Sequence, residues 1–282
     1  MKDYAADKLR NVALISHGGA GKTSLTEALL YTSGGTDRLG KVDEGNTVSD
    51  YDPDEIKRKI TINASVLPCE WSDSKINLLD TPGYPDFIGE VLGALSVADA
   101  ALVVVCAVSG VEVNTGRMWT LAERRGLPRL LFINKLDREN AHFDRVLEQI
   151  QSELSPHAVA MQVPIGSEAD FKGIIDLITM KAVFFENGGV KEGSIPEELQ
   201  ELAETYHEKM VEAAAETDDD LTMKYLEGEE LTQDEIIQGL RHGTLSGKVF
   251  PVLCGSAYLN KGAGLLMDAM IHYLPSPQDR PA

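Results

Sequence analysis

The octapeptide Ser16-His17-Gly18-Gly19-Ala20-Gly21-Lys22-Thr23 carries the residue types of a phosphate cradle. Successive backbone N–H groups of a glycine-rich turn converge on phosphate oxygens, and a helix starting at Lys22 adds the positive end of its dipole. In such a loop Lys22 reaches the β- and γ-phosphates, the Thr23 hydroxyl suits Mg²⁺, and His17 to Ser24 line the anion. Ser16 stands where such loops usually have their first glycine. A second group, Asp80-Thr81-Pro82-Gly83, follows a short apolar run. Its Asp80 carboxylate can hold a metal-bound water, and the flexible Gly83 N–H can meet a γ-phosphate. Taken alone, the same four residues also make an ordinary turn.

The third group, Asn134-Lys135-Leu136-Asp137, reads a base. The Asp137 carboxylate can accept from both N1–H and the exocyclic amino group of guanine, donors that adenine does not pair in this way. Adenine would leave a desolvated carboxylate unpaired, at a cost of about 1–3 kcal/mol or more. Lys135 would lie along the base plane while Asn134 braces the loop. In the fourth group, Gly255-Ser256-Ala257, the Ala257 N–H is placed to donate to guanine O6. Between the first two groups lies Thr61, whose hydroxyl can bind Mg²⁺ only while a γ-phosphate is present. The loop from about 38 to 61 is therefore a candidate switch. It carries Lys57-Arg58-Lys59, a basic island that suits either phosphate or solvent.

Elements that would position these groups are legible in the hydrophobic pattern. Strands are expected at 11–15, 61–67, 76–79, 100–107, 129–133 and 250–254, and helices at 22–31, 86–97, 115–125 and 262–273. The runs at 100–107 and 129–133 are apolar throughout, as strands covered on both faces require. Each chemical group follows a strand, where open α/β sheets bind ligands. The alternation predicts an α/β chain with a P-loop NTPase fold and a mixed, mostly parallel sheet. The segment 159–248 interrupts this rhythm, with two short strands between 161 and 180 and an amphipathic helix over 197–216. Thr232 and Glu235 form a capping-box pattern ahead of a further helix. The expected division is a GTP-binding domain of residues 1–158 and 249–282 around an inserted, acidic α+β subdomain.

The chain has 282 residues and 43% hydrophobic content, enough for a real core. No apolar run is long enough to span a bilayer, and the first ten residues carry charge where a secretion signal is apolar. A soluble, cytoplasmic, monomeric protein is expected. Cys69, Cys106 and Cys254 show no paired spacing and read as reduced, packed thiols. The net charge of −19 disfavours broad nucleic-acid binding. Most of the excess acid sits between Glu192 and Glu235, where sixteen carboxylates face only Lys209 and Lys224, a net of −14.

Ser16 to Tyr31, Arg58 to Thr61, Asp80 to Phe87, Asn134 to Arg138 and Pro251 to Pro277 together resemble bacterial elongation factor G. The resemblance also covers the insert, in Pro164-Ile165-Gly166 and in Lys224 to Glu230. It implies a ribosome-stimulated GTPase that binds GTP and GDP with Mg²⁺. It further implies contact with the sarcin–ricin loop of large-subunit ribosomal RNA, and with the ribosomal stalk protein through the acidic insert. That family carries four further domains after this one, so the chain resembles a nucleotide-binding domain ending where a β-barrel would start. Three departures point to a divergent paralogue. The family histidine that orders the attacking water is Tyr84 here, and a phenol, neutral at pH 7, can orient water without acting as an imidazolium. Gly19 replaces an aspartate that helps hold a monovalent cation, and Lys59 replaces a glycine. The site set is then Lys22, Thr61, Gly83 and Tyr84 for hydrolysis and Thr23, Thr61 and Asp80 for Mg²⁺. Two other assignments fit these motifs: a GTP-gated ribosome-binding module with little turnover, and a release-factor-three or ribosomal-protection GTPase.

Overall fold

A computed structural model describes residues 2–186 and 189–280. The first strand, β1 (Leu9–Ile15), runs into the glycine-rich loop and then into α1 (Lys22–Thr32). A short helix α2 (Pro53–Arg58) precedes the hairpin of β2 (Ser65–Trp71) and β3 (Ser74–Asp80). Strand–helix alternation follows: α3 (Ile88–Val97), β4 (Ala100–Cys106), α4 (Val113–Arg124), β5 (Arg129–Asn134) and α5 (Phe143–Glu153). Next come β6 (Ala158–Ala160), β7 (Gln162–Ile165), β8 (Gly173–Asp176), β9 (Lys181–Glu186) and β10 (Gly189–Gly193). Three helices, α6 (Gln200–Ala215), α7 (Asp219–Leu226) and α8 (Gln233–Ser246), lead to β11 (Phe250–Cys254) and α9 (Ala263–Tyr273).

The main sheet has seven strands in the order β2-β3-β1-β4-β5-β11-β6. Only β2 is antiparallel to its neighbour, so the sheet is mixed and mostly parallel, as the pattern predicts. Every residue of β4 and β5 is buried, because helices cover both faces of the sheet centre. Leu14 pairs with Asp80, and Ile133 with Cys254. That register brings the carboxyl ends of β1, β3, β5 and β11 level, so the loops carrying the four chemical groups emerge on one edge. All three cysteines are buried and unpaired. Among the described residues no helix is long and apolar enough to cross a membrane.

The structure revises several sequence expectations. The expected strand at 61–67 starts only at Ser65, leaving Thr61 on a loop. The reason is competition for donors: Glu55 accepts from the Ile62 and Asn63 N–H groups at 2.9 Å, and Glu90 accepts from Ala64 at 3.0 Å. These donors therefore serve carboxylates rather than a sheet ladder. The segment 38–61 is not wholly loop, since an Asp52–Glu55 capping box and Pro53 at the first helical position build α2. The two strands expected between 161 and 180 are β7 and β8, and β9 and β10 extend them into a second sheet of four antiparallel strands, β10-β9-β8-β7. β10 is largely exposed and carries no apolar stripe, so its sequence hides it. β6 pairs with β11 at the edge of the main sheet.

Candidate nucleotide site

The loop after β1 turns on two glycines in left-handed backbone. Gly19 and Gly21 sit at φ +86° and +95°, left-handed backbone that L side chains rarely adopt. A Cβ on Gly21 would also stand 2.5 Å from the Asn134 amide nitrogen. Ser16 is tolerated as the first residue because its hydroxyl donates to the Val104 carbonyl on β4. Lys22, the first residue of α1, is buried and folds its ammonium back to the His17 carbonyl at 3.1 Å. Burial holds its pKa down at about 8, with the nearby Asp80 and Asp50 carboxylates opposing the shift.

Asp80 ends β3 fully buried, and neither of its carboxylate oxygens has a partner in hydrogen-bonding geometry, although the Thr23 and Ser49 hydroxyls stand nearby. Burial drives its pKa up to about 7 against the pull of Lys22. Asp50 shows the same strain more weakly: one oxygen is unpartnered and burial raises its pKa to about 6. The Thr23 and Thr61 hydroxyls meet at 2.8 Å beside them. Unpaired buried carboxylates are costly, and hard oxygen donors of this kind fit a Mg²⁺ ion. Among the described residues no cluster of three or more His, Cys, Asp or Glu is gathered for a metal.

The two turns expected to read a base join the glycine-rich loop through Asn134. Its amide nitrogen donates to the Ala20 carbonyl at 3.0 Å, and its oxygen accepts from the Ala257 N–H at 2.9 Å. The Ala257 N–H expected to read guanine O6 is thus engaged, and it could reach a base only as a shared donor. Lys135 donates to the Gly19 carbonyl at 2.5 Å, lying across the loop. Asp137 Oδ1 is buried without a partner, the state of an acceptor awaiting donors. Ser256 is committed to its own turn, where its hydroxyl accepts from the Leu259 N–H.

These loops enclose a cavity of about 270 Å³. Gly18, Gly19, Gly21, Lys22, Thr23, Ser24, Thr61, Gly83, Tyr84, Asn134, Lys135 and Ala257 line it. His17, Ala20, Asp80, Asp137 and Ser256 are not among the residues that line it. Sequence reasoning missed Asp50, Lys41, Arg138 and Tyr258, which also line it. The Tyr258 ring has Lys41 Nζ at 5.4 Å and Arg138 Cζ at 5.7 Å from its centroid. The wall collects Lys22, Lys41, Lys59, Lys135 and Arg138 against Asp43 and Asp50 in a chain of net charge −19, a local positive excess that suits a polyanion. Lys59 holds left-handed backbone (φ +56°) at the end of α2, where the resembled family has glycine. Tyr84 is 43% exposed, with its ring over Gly18.

His17 is buried behind the loop. Its Nε2 lies 3.0 Å from a Glu112 carboxylate oxygen and its Nδ1 2.7 Å from the Thr115 hydroxyl. Nε2–H therefore donates to Glu112, and the neutral ring accepts from Thr115 at Nδ1. Burial lowers its pKa from 6.5 to about 4, outweighing the attraction of Glu112. Because the unfolded chain takes up this proton first, the stability the group contributes is complete above pH 6.5. It falls by about 1.4 kcal/mol per pH unit as pH drops towards 4. NMR titration of the ring should find His17 neutral down to about pH 4; titration near 6.5 would contradict the burial argument.

Residues 7–276 match the family model described as the elongation factor Tu GTP binding domain. A crystal structure of a protein from Thermus thermophilus superposes with a TM-score of 0.93 at 40% sequence identity. The match covers 97% of this chain and 41% of that one, so the chain spans less than half of that relative's length. With phosphate loop, buried Asp80 and base-reading turns gathered on one sheet edge, the chain belongs to the elongation factor Tu GTP-binding domain family, and so to the translational GTPases.

Proposed function

We propose that the chain is the nucleotide-binding part of an elongation-factor-G-like protein, which binds GTP and GDP with Mg²⁺ and hydrolyses GTP under stimulation by the ribosome. The observation that carries this reading is the set Lys22, Asp80, Asp50, Thr23 and Thr61: buried charges and hydroxyls whose partners in the chain do not satisfy them. Mg²⁺ held by Thr23 and Thr61, with Asp80 behind its waters, would neutralise phosphate charge. Lys22 would release the His17 carbonyl to the β- and γ-phosphates. Asp137, with its free oxygen, selects guanine. Tyr84, poised over Gly18, orients the attacking water but supplies no proton relay of its own. Loss of the γ-phosphate releases Thr61 and Gly83, and the resulting shift of the 38–61 segment is the output.

The segment 159–248 is proposed as a separate module for the ribosomal stalk, its acidic helices facing a basic partner. The sarcin–ricin loop is the proposed activating contact, and the ribosome places the protein in the cytoplasm, as a monomer. The exposure of Tyr84 favours one second reading, a GTP-gated ribosome-binding module with little turnover. Single-turnover hydrolysis with and without ribosomes separates the two. The GTPase reading expects acceleration by ribosomes; a flat, ribosome-independent rate would transfer the proposal to the binding module.

A further inference from the structure

The first turn of α4 grips both phosphate-facing loops at once. Glu112 is the N-cap of this helix and Thr115 completes a capping box with it. The same two side chains hold His17 of the phosphate loop through both ring nitrogens. Between them in sequence, Asn114 crosses to the other loop, its Nδ2 donating to the Gly83 carbonyl at 2.8 Å.

The Gly83 carbonyl belongs to the peptide unit that leads into Tyr84. A peptide is planar, so fixing its C=O also fixes the N–H of Tyr84 and the Cα from which the ring departs. Glycine at 83 offers no side chain to restrain that peptide, and space alone forbids one. A Cβ there would stand 2.5 Å from Lys22 Nζ and 2.6 Å from the His17 carbonyl. The ring that this peptide directs lies over Gly18, with its nearest carbons 3.0–3.2 Å from where a Gly18 Cβ would be. Within this network the Asn114 amide donates from α4 to the one peptide that aims Tyr84.

We infer that Asn114 is a positioning residue for hydrolysis. Through the Gly83 carbonyl it holds Tyr84 over the phosphate loop, and the shared turn of α4 references that placement to His17. The inference rests on the GTPase reading above. It predicts an effect on the chemical step and on the γ-phosphate response, with nucleotide affinity as such untouched.

Asn114→Asp keeps size and replaces the donor by an acceptor, and an acid in the first helical turn is compatible with folding. Asn114→Gln keeps the amide. Single-turnover hydrolysis and GDP affinity should be measured for both variants, in the native background and with Tyr84→Ala. Asn114→Asp is expected to slow hydrolysis by about tenfold or more while GDP affinity stays within about twofold, and Asn114→Gln to recover most of the rate. In the Tyr84→Ala background the Asn114→Asp change should add little. The proposal is overturned if Asn114→Asp hydrolyses at the native rate, or if it loses the same factor without Tyr84. It is equally overturned by a parallel loss of GDP affinity, or by a Tyr84→Ala variant as fast as the native chain. A native chain with no hydrolysis at all would instead refute the GTPase reading. The Asn114 tie is then read from the ratio of affinities for a non-hydrolysable GTP analogue and GDP. Asn114→Asp moves that ratio towards one if the tie exists, and leaves it fixed if it does not.

Discussion

Lys22→Ala is expected to reduce GTP hydrolysis by about 10²–10³-fold, the usual loss when a preorganised donor to developing transition-state charge is removed. The expectation follows from the surroundings of the ammonium. It is buried, bonded among the described residues only to the His17 carbonyl, and flanked by Asp80 and Asp50. Without it two acidic groups face the phosphates unopposed, so affinity for triphosphate falls as well. Lys22→Arg should not rescue, because Gly83 packs against the ammonium and leaves no room for a wider head group. Single-turnover assays beside calorimetric titration with GTP check both effects. A Lys22→Ala chain that hydrolysed at the native rate would remove the phosphate loop from the mechanism.

Asp137→Asn should exchange base preference rather than destroy binding. In the proposed reading the Asp137 carboxylate, whose Oδ1 is buried and unpartnered, accepts from two guanine donors, one at each oxygen, each charge-assisted bond worth about 1.5–3 kcal/mol. An amide keeps one acceptor and gains one donor, which opposes the guanine amino group and suits the carbonyl at the same position of xanthine. GTP affinity is expected to fall by at least about 100-fold and xanthosine triphosphate to bind in its place. Competition of the two nucleotides against a fluorescent GDP analogue measures the exchange. Unchanged GTP selectivity would take the base-reading role away from Asp137.

The sheet, the four loops and the family were legible because strand runs such as 100–106 are apolar throughout, and because each chemical group directly follows one. What stayed hidden has physical causes. Thr61 looked like strand because its neighbours are apolar, yet Glu55 on the preceding helix and Glu90 on α3 take the N–H groups of residues 62–64 that a ladder would need. Asp50 carries no local signal, since only the closure of the 38–61 segment buries it beside Lys22 and Thr61. Tyr258 follows the Ser256-Ala257 pair directly, and adjacency to a base-reading turn was a usable clue. Asn114 offered none: a polar residue in a helix's first turn reads as solvated until the fold sets Gly83 beside it. The capping box at Asp52 and Glu55 was visible in the sequence and would have announced α2.

Calorimetric titration of the chain with GTP, and separately with ATP, in the presence of Mg²⁺ tests the central claim most directly. The account predicts one GTP site per chain and no measurable ATP binding; equal affinity for the two nucleotides, or none for GTP, would contradict it.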